Sequence, residues 1–291
     1  YNFAAGRVAL TNNTTGSFNS AIGSCTLTNN TTGCNNSAIG SAALNKNTTG
    51  IHNIGMGVNA LYGNTVGQRN VAIGQSAMQC ALSGCHNFAT GQSALYSNYG
   101  GCYSTALGYN ALKCNTTACH NVAIGSNTLC LNTTGDCNTA LGNLALRCNT
   151  TGGCNIAIGD RSLTNNTTAC HNVAIGSNTL CLNTTGGCNT AISKEALRFN
   201  TTGVSNAAIG PFALYSNTEG DDNTALGNRA LLNNTTGGSN SAIGCGALCS
   251  NTTGNYNAAI GGDASESNTT GNYNVALGHA VLCSNTTGNC N

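Results

Sequence analysis

The stretch NTTACHNVAIGSNTLCLNTTG at residues 115–135 recurs letter for letter at residues 166–186, a separation of 51. Self-similarity at a fixed spacing is the mark of repeat architectures, and the underlying period is a third of that separation. An NTTG-like block begins at Asn13, Asn30, Asn47, Asn64, Ala81, Asn98, Asn115, Asn132, Asn149, Asn166, Asn183, Asn200, Asn217, Asn234, Asn251, Asn268 and Asn285, a step of 17 each time. The consensus is N-T-T-G-x-x-N-x-A-[IL]-G-x-x-A-L-x-x, and positions below are counted from its first Asn. Residues 1–291 therefore read as a single array of 17 tandem repeats, partial at both ends. Solenoids normally carry atypical capping repeats. Tyr1 enters at the sixth position and Asn291 stops at the seventh, so the expectation is an uncapped array cut from a longer polymer or joined end to end.

Seventeen residues are too few for a helical-hairpin repeat, which needs about 33 or more, and Asn, Thr and Gly at this density oppose helix. They suffice for one coil of an all-β solenoid or β-roll, with two short strands and two turns per rung. Along x-N-x-A-I-G the side chains alternate. Hydrophobicity places Ile22, Ile39, Ile73 and Ile124 inside, stacked with Leu27, Leu44, Leu95 and Leu129. Ala21, Ala38, Ala72 and Ala123 would then face out, small enough to lie against a neighbouring chain. Two aliphatic side chains per rung supply ~1.5–3 kcal/mol each, against ~1–2 kcal/mol of backbone entropy for every residue ordered. Other interactions must hold the rung.

Asn supplies one of them. It fills the seventh position at Asn19, Asn36, Asn70, Asn121 and Asn172, with Ser104 as the exception, and an Asn repeated on every coil passes amide hydrogen bonds along the stack. Gly at the eleventh position fails only at Ser193, which implies a positive φ or a close backbone approach at a corner.

Cysteine supplies another. Of 18 cysteines, 16 fall at positions five, six, sixteen or seventeen, beside the NTTG block. Several bracket one turn: Cys80 with Cys85, Cys114 with Cys119, Cys130 with Cys137, Cys148 with Cys154, Cys181 with Cys188, and Cys283 with Cys290. Closing so short a loop restrains the unfolded chain by ~2–3 kcal/mol. A vertical scheme competes, because Cys85, Cys102 and Cys119 share one column. Cys25 with Cys34 and Cys245 with Cys249 are looser pairs, and Cys102 and Cys170 lack a bracket. Paired thiols on this scale point to an oxidising, extracellular compartment. Cys85-His86, Cys119-His120 and Cys170-His171 set a soft ligand beside an imidazole, but the repeat fixes that spacing and no C-x-x-C accompanies it. No metal site is expected.

The NTT triplet also satisfies the N-x-[ST] rule for glycan attachment. It is intact at Asn13, Asn30, Asn47, Asn115, Asn132, Asn149, Asn166, Asn183, Asn200, Asn234, Asn251, Asn268 and Asn285. N-T-T-G is a good turn in its own right, yet beside paired cysteines the sequons read as N-glycosylation sites. Covalent glycans are the one prosthetic group expected, with no cofactor besides.

Composition narrows the function. Charged residues make up 6% of the chain, Trp is absent and the formal net charge is +1. There is no basic stripe to capture nucleic acid and no apolar run long enough to span a membrane. Catalysis needs a unique constellation in a pocket, whereas nearly every position here is repeated, so no enzyme is expected.

The strand motif NVAIG, at 70–74, 121–125 and 172–176, resembles the head repeats of trimeric autotransporter adhesins. It is similar also to the N-T-A-I-G-x-x-A-L repeats of tail-fibre-like proteins from phages and large algal viruses. That resemblance implies a parallel β-roll, often with three chains sharing an axis, used for reach and surface attachment. The longer period, the cysteines and the sequons set this chain apart from the adhesin heads and point to a secreted eukaryotic or viral fibre. The expected function is the shaft of an extracellular filament, self-associating, stapled by disulfides and glycosylated. The alternatives are an adhesin or viral fibre region that touches a cell surface or glycan, and an ice-binding solenoid that uses its stacked Thr pairs.

Overall fold

Each repeat contributes one three-residue strand, over its eighth to tenth positions. The computed structural model describes all 291 residues, Tyr1–Asn291, in two units, Tyr1–Thr151 and Gly152–Asn291. The first holds β1 (Phe3–Ala5), β2 (Ser20–Ile22), β3 (Ser37–Ile39), β4 (Ile54–Met56), β5 (Val71–Ile73), β6 (Phe88–Thr90), β7 (Thr105–Leu107), β8 (Val122–Ile124) and β9 (Thr139–Leu141). The second holds β10 (Ile156–Ile158), β11 (Val173–Ile175), β12 (Thr190–Ile192), β13 (Ala207–Ile209), β14 (Thr224–Leu226), β15 (Ser241–Ile243), β16 (Ala258–Ile260) and β17 (Val275–Leu277). Within each unit successive strands pair in parallel and in register, Ala21 on Ala38 and Ile22 on Ile39 in one and Ala174 on Ala191 in the other. The fold is an all-β parallel solenoid of 17-residue rungs, and no helix is present.

The rung carries one strand rather than two. The rest of each coil is a chain of turns in which left-handed residues recur, at the sixth, thirteenth and fifteenth positions: φ is 57° at Asn35, 58° at Ala42 and 51° at Leu44. L-residues pay for this conformation in sterics, roughly 1–2 kcal/mol each. Each such residue also donates its amide to a neighbouring rung, Asn35 to Ser17 O at 3.0 Å, Ala42 to Ser24 O at 2.9 Å and Leu44 to Ala60 O at 2.9 Å. The inter-rung bonds offset the local strain. The eleventh-position glycines turn the corner at φ near +130°. At Gly40, φ +126°, an added Cβ would lie 2.7 Å from the Gly57 carbonyl oxygen, so both conformation and space demand glycine.

The strand faces the opposite way from the hydrophobic expectation. Ala21, Ala38, Ala72 and Ala123 are fully buried, as are Leu27, Leu44, Leu95 and Leu129. Ile22, Ile39 and Ile73 are about two-fifths exposed, and Ile124 is half-buried. The coil is too narrow for a bulky residue on both walls. Gly55, which replaces Ala at the centre of β4, makes this measurable: its missing Cβ would meet Leu44 Cγ at 3.4 Å and Ala60 O at 3.2 Å. A single methyl already touches the opposite wall, so isoleucine must go outside.

Candidate functional surfaces

Two columns of Asn occupy the interior. In the seventh-position column Asn36 Nδ2 donates to Asn19 Oδ1 at 3.1 Å and to Gly50 O at 2.8 Å, while its backbone amide donates to the same Oδ1 at 3.0 Å. Asn70 and Asn172 donate their amides to Asn53 and Asn155 Oδ1, both at 3.0 Å. At Ser104 the column narrows to a hydroxyl, which accepts the Asn121 amide at 3.3 Å.

The first-position column, read from the sequence as glycan acceptors, is a second ladder. Asn30, Asn47, Asn115, Asn132, Asn149, Asn166, Asn183, Asn200, Asn234, Asn251 and Asn268 are fully buried, and Asn13 and Asn285 are half-buried. Asn47 Nδ2, the atom a glycan would occupy, donates to Asn30 Oδ1 at 2.7 Å and to Gly50 O at 3.1 Å. The folded rung has no room for sugar on that nitrogen, and the glycosylation reading is corrected accordingly. Gly50 O receives Asn36 and Asn47 together, so the two ladders are joined through the fourth-position carbonyl. The sequence signal lay in the recurrence of Asn itself at the first position, which the N-x-[ST] pattern overshadowed.

The disulfide brackets are not formed. Cys80, Cys85, Cys114, Cys119, Cys148, Cys154, Cys181, Cys188, Cys283 and Cys290 are free thiols, and Cys130 is a buried one, so its bracket to Cys137 is open as well. The fifth-position sulfurs serve the backbone instead. Cys102 Sγ accepts the Cys85 amide at 3.1 Å and Cys119 Sγ accepts that of Cys102 at 3.2 Å. Where the fifth residue is acidic or an amide it takes the same role, as Asp221 Oδ1 does for the Val204 amide at 2.7 Å and Asn255 Oδ1 for Gly238 at 2.7 Å. Cys85, Cys102 and Cys119 thus share a column, with Cys34 and Cys170 accepting amides in the same manner. Cys25, Cys245 and Cys249 are also free. Burial pushes the thiols of Cys102, Cys130, Cys181 and Cys249 above the ordinary cysteine range.

At the sixth position His86, Tyr103 and His120 stack face to face, with ring centres 4.8 and 5.2 Å apart, and Arg69 Nη1 lies 3.4 Å from His86 Nε2. Threonine hydroxyls at the second position are spent within the fold, as Thr31 Oγ1 donates to Thr48 O at 3.1 Å. No helix is long and apolar enough to cross a membrane.

Besides the exposed third-position threonines, two outward surfaces remain. One is the strand face, where the tenth position carries Ile, Leu or Met in nearly every rung and neither the eighth nor the tenth carries a charge. The other is the corner formed by positions twelve to seventeen, which holds eight of the nine Lys and Arg residues. It contains two cavities. One, of about 310 Å³, is lined by Phe212, Tyr215, Ser216, Arg229, Leu232 and Asn233. The other, of about 280 Å³, lies among Lys46, Tyr62, Gln79, Cys80 and Tyr99. The chain matches no protein-family model and no curated protein by sequence.

Proposed function

We propose that this chain is a structural module whose rungs pack against a second copy through the strand face, as the shaft of a homo-oligomer or filament. One observation carries the reading: the tenth position is exposed or half-buried, yet is a large aliphatic residue in nearly every rung, Thr90 being an exception. Of the other exposed columns the third position is also nearly uniform, but in polar Thr, whereas the rest vary; aliphatic uniformity at an exposed position has no use within the rung and so has a cause outside it. Contiguous apolar surface of this kind marks association sites. Full burial of an aliphatic side chain contributes ~1.5–3 kcal/mol. Ile22, Ile39, Ile73 and Leu141 each leave about two-fifths exposed, so covering these four on both partners yields about 5–10 kcal/mol. That is comparable to the ~4–15 kcal/mol cost of association; the remaining rungs add to it. A second copy fits because the face is uncharged and self-similar, which suits an isologous or axial arrangement.

The likeness of NVAIG to adhesin-head and tail-fibre repeats supports a fibre role, and surface exposure in an extracellular or virion setting is the natural context. Ice binding is less well supported, since one hydroxyl of each Thr pair, that of the second position, is used internally and only the third-position threonines stay exposed. Sedimentation velocity and negative-stain microscopy test the proposal. The wild-type chain should associate with rising concentration, and the Ile22→Lys, Ile39→Lys, Ile73→Lys triple variant should remain monomeric with an unchanged circular dichroism spectrum. A wild-type chain that stays monomeric at every concentration overturns it.

A further inference from the structure

The larger corner cavity sits where the repeat is most irregular. Ser193 is the one non-glycine at the eleventh position and keeps a φ of 107°. Lys194, Glu195, Arg198 and Phe199 follow in the same rung, and the next rung brings the only proline, Pro211, directly before Phe212. Proline costs nothing there, because at the equivalent Ser24, Gln75 and Asn228 the amide donates to no backbone carbonyl, and it fixes the chain ahead of the aromatic ring.

The wall so built is rigid and already neutralised on one side. Tyr215 meets Phe199 and Phe212 edge to face at 5.0 and 5.7 Å. Behind it Arg198 bonds Glu195 Oε2 at 3.1 Å, reaches the Tyr215 hydroxyl at 3.4 Å and lies over both Phe199 and Tyr215. Glu195, largely buried, is thereby occupied, with Lys194 Nζ 3.9 Å from its other oxygen. Arg229 lines the cavity from the following rung and makes no ion pair. The cavity therefore offers aromatic faces, one unneutralised guanidinium, the amide of Asn233 and the hydroxyl of Ser216.

We infer that this cavity is a binding site for an acidic saccharide. The C–H face of a pyranose packs on Phe212 and Tyr215, its carboxylate pairs with Arg229 in the fork geometry that guanidinium favours, and Asn233 and Ser216 meet ring hydroxyls. The volume, at the lower end of the ~300–1,000 Å³ usual for ligand sites, suits one or two sugar rings. The smaller cavity differs in that its cation is already engaged, Lys46 lying over the Tyr62 ring at 5.2 Å. This inference is independent of self-association.

Isothermal titration with digalacturonate and with its neutral counterpart, galactobiose, tests it on the full chain and on the monomeric triple-lysine variant alike. Digalacturonate should bind, and galactobiose should bind at least about tenfold more weakly, the loss of one charge-assisted contact. Arg229→Gln, at an exposed position and so compatible with folding, should erase that preference. Tyr215→Ala should weaken both sugars, while Arg161→Gln, a cation outside the cavity, should change neither. Absence of digalacturonate binding, equal affinity for the two sugars, or an unchanged preference in Arg229→Gln overturns the inference.

Discussion

Replacing Ala81 by Asn should stabilise the first unit. The first-position column there runs Asn13, Asn30, Asn47, Asn64, Ala81, Asn98, Asn115, Asn132 and Asn149, so Ala81 is a gap in a ladder. Its consequence is visible next door: Asn64 Oδ1 is the buried side-chain oxygen left without a donor. Asn64 Nδ2 keeps its own bonds to Asn47 Oδ1 at 2.7 Å and Gly67 O at 3.2 Å. Across the gap, Asn98 Nδ2 bonds Gly101 O at 2.8 Å but has no first-position amide to donate to, whereas Asn115 Nδ2 reaches both Asn98 Oδ1 and Ala118 O. An Asn at 81 donates to Asn64 Oδ1 and to Gly84 O, and accepts from Asn98. Three neutral hydrogen bonds at ~0.5–1.5 kcal/mol each, with relief of an orphan acceptor costing ~1–3 kcal/mol, less the rotamer entropy of the new side chain, leave a net gain of about 2 kcal/mol. In a unit of this size that raises Tm by about 5 °C. Circular dichroism melts read the shift, and amide exchange at residues 64–101 should slow locally. Asn132→Ala, which opens the same gap in an intact stretch, should lower Tm by a similar amount. Pairing Ala81→Asn with Asn64→Ala should reveal a coupling of about 1 kcal/mol. If Ala81→Asn melts at or below the wild type while Asn132→Ala is destabilised, the ladder accounting is wrong.

Gly55→Ala restores the repeat at the centre of β4, where the new methyl meets Leu44 Cγ at 3.4 Å and, more tightly, Ala60 O at 3.2 Å; with a few tenths of an ångström of relaxation there, calorimetry should show a gain of ~0.5–1 kcal/mol. Ser193→Gly removes a side chain from φ 107° and keeps the Thr179 Oγ1 bond to the residue 193 carbonyl, so the melt should shift upward by roughly 1 kcal/mol. Iodoacetamide should modify the buried Cys130 far more slowly than the exposed Cys154 and Cys188, and because burial raises the Cys130 thiol its rate should keep climbing above the ordinary thiol range, as mass spectrometry of peptides will report. Because burial raises the folded-state thiols of Cys102, Cys130, Cys181 and Cys249, the unfolded chain ionises first. Their contribution to stability is whole below the ordinary thiol pKa and is lost as pH rises through the raised one, so the Tm should fall with alkalinity and fall less in a Cys130→Ala variant, referenced to its own neutral value.

The period, the parallel register and the stacking of Asn19 on Asn36 are legible in the sequence because each follows from recurrence alone: a residue repeated at every step of 17 must lie over itself in a parallel stack. Which way the strand faces is harder. Alternation says that Ala38 and Ile39 point apart, and hydrophobicity prefers Ile inside, but the width of the coil decides, and width is a property of the closed rung. A subtler signal was present. The fifteenth position is Leu or Met in every repeat but that of Ser265 and is never Ile or Val, whereas the tenth is mostly Ile. A β-branched side chain resists the left-handed region, so the fifteenth position had to be the one with positive φ, and Ile was confined to the extended strand. The cysteine columns misled for a related reason: a thiol beside a turn reads as half of a bracket, yet Cys102 and Asp221 perform one task, accepting an amide from the neighbouring rung, that no spacing argument separates from cross-linking.

The same recurrence separates what the rung needs from what it leaves free. Positions one, four, seven, nine and fifteen are buried and nearly invariant, and the fourteenth is buried Ala, Ser or Thr in all but the terminal rungs; each is explained from within: two amide ladders, the glycine carbonyl that joins them, and the small residues and Leu that fill the coil. Positions thirteen and sixteen are outward and vary almost without restriction, from Asn110 to Arg229 and from Tyr62 to Leu232, so any chemistry that differs along the chain must be written there; the cavity beside Tyr215 falls among them. The tenth position belongs to neither class. Its side chains contribute little to their own interior, and a threonine is accepted at Thr90 within the same ladder, so the rung does not require an aliphatic residue. The persistence of Ile and Leu at a position the coil itself leaves open is the feature the proposed self-association accounts for.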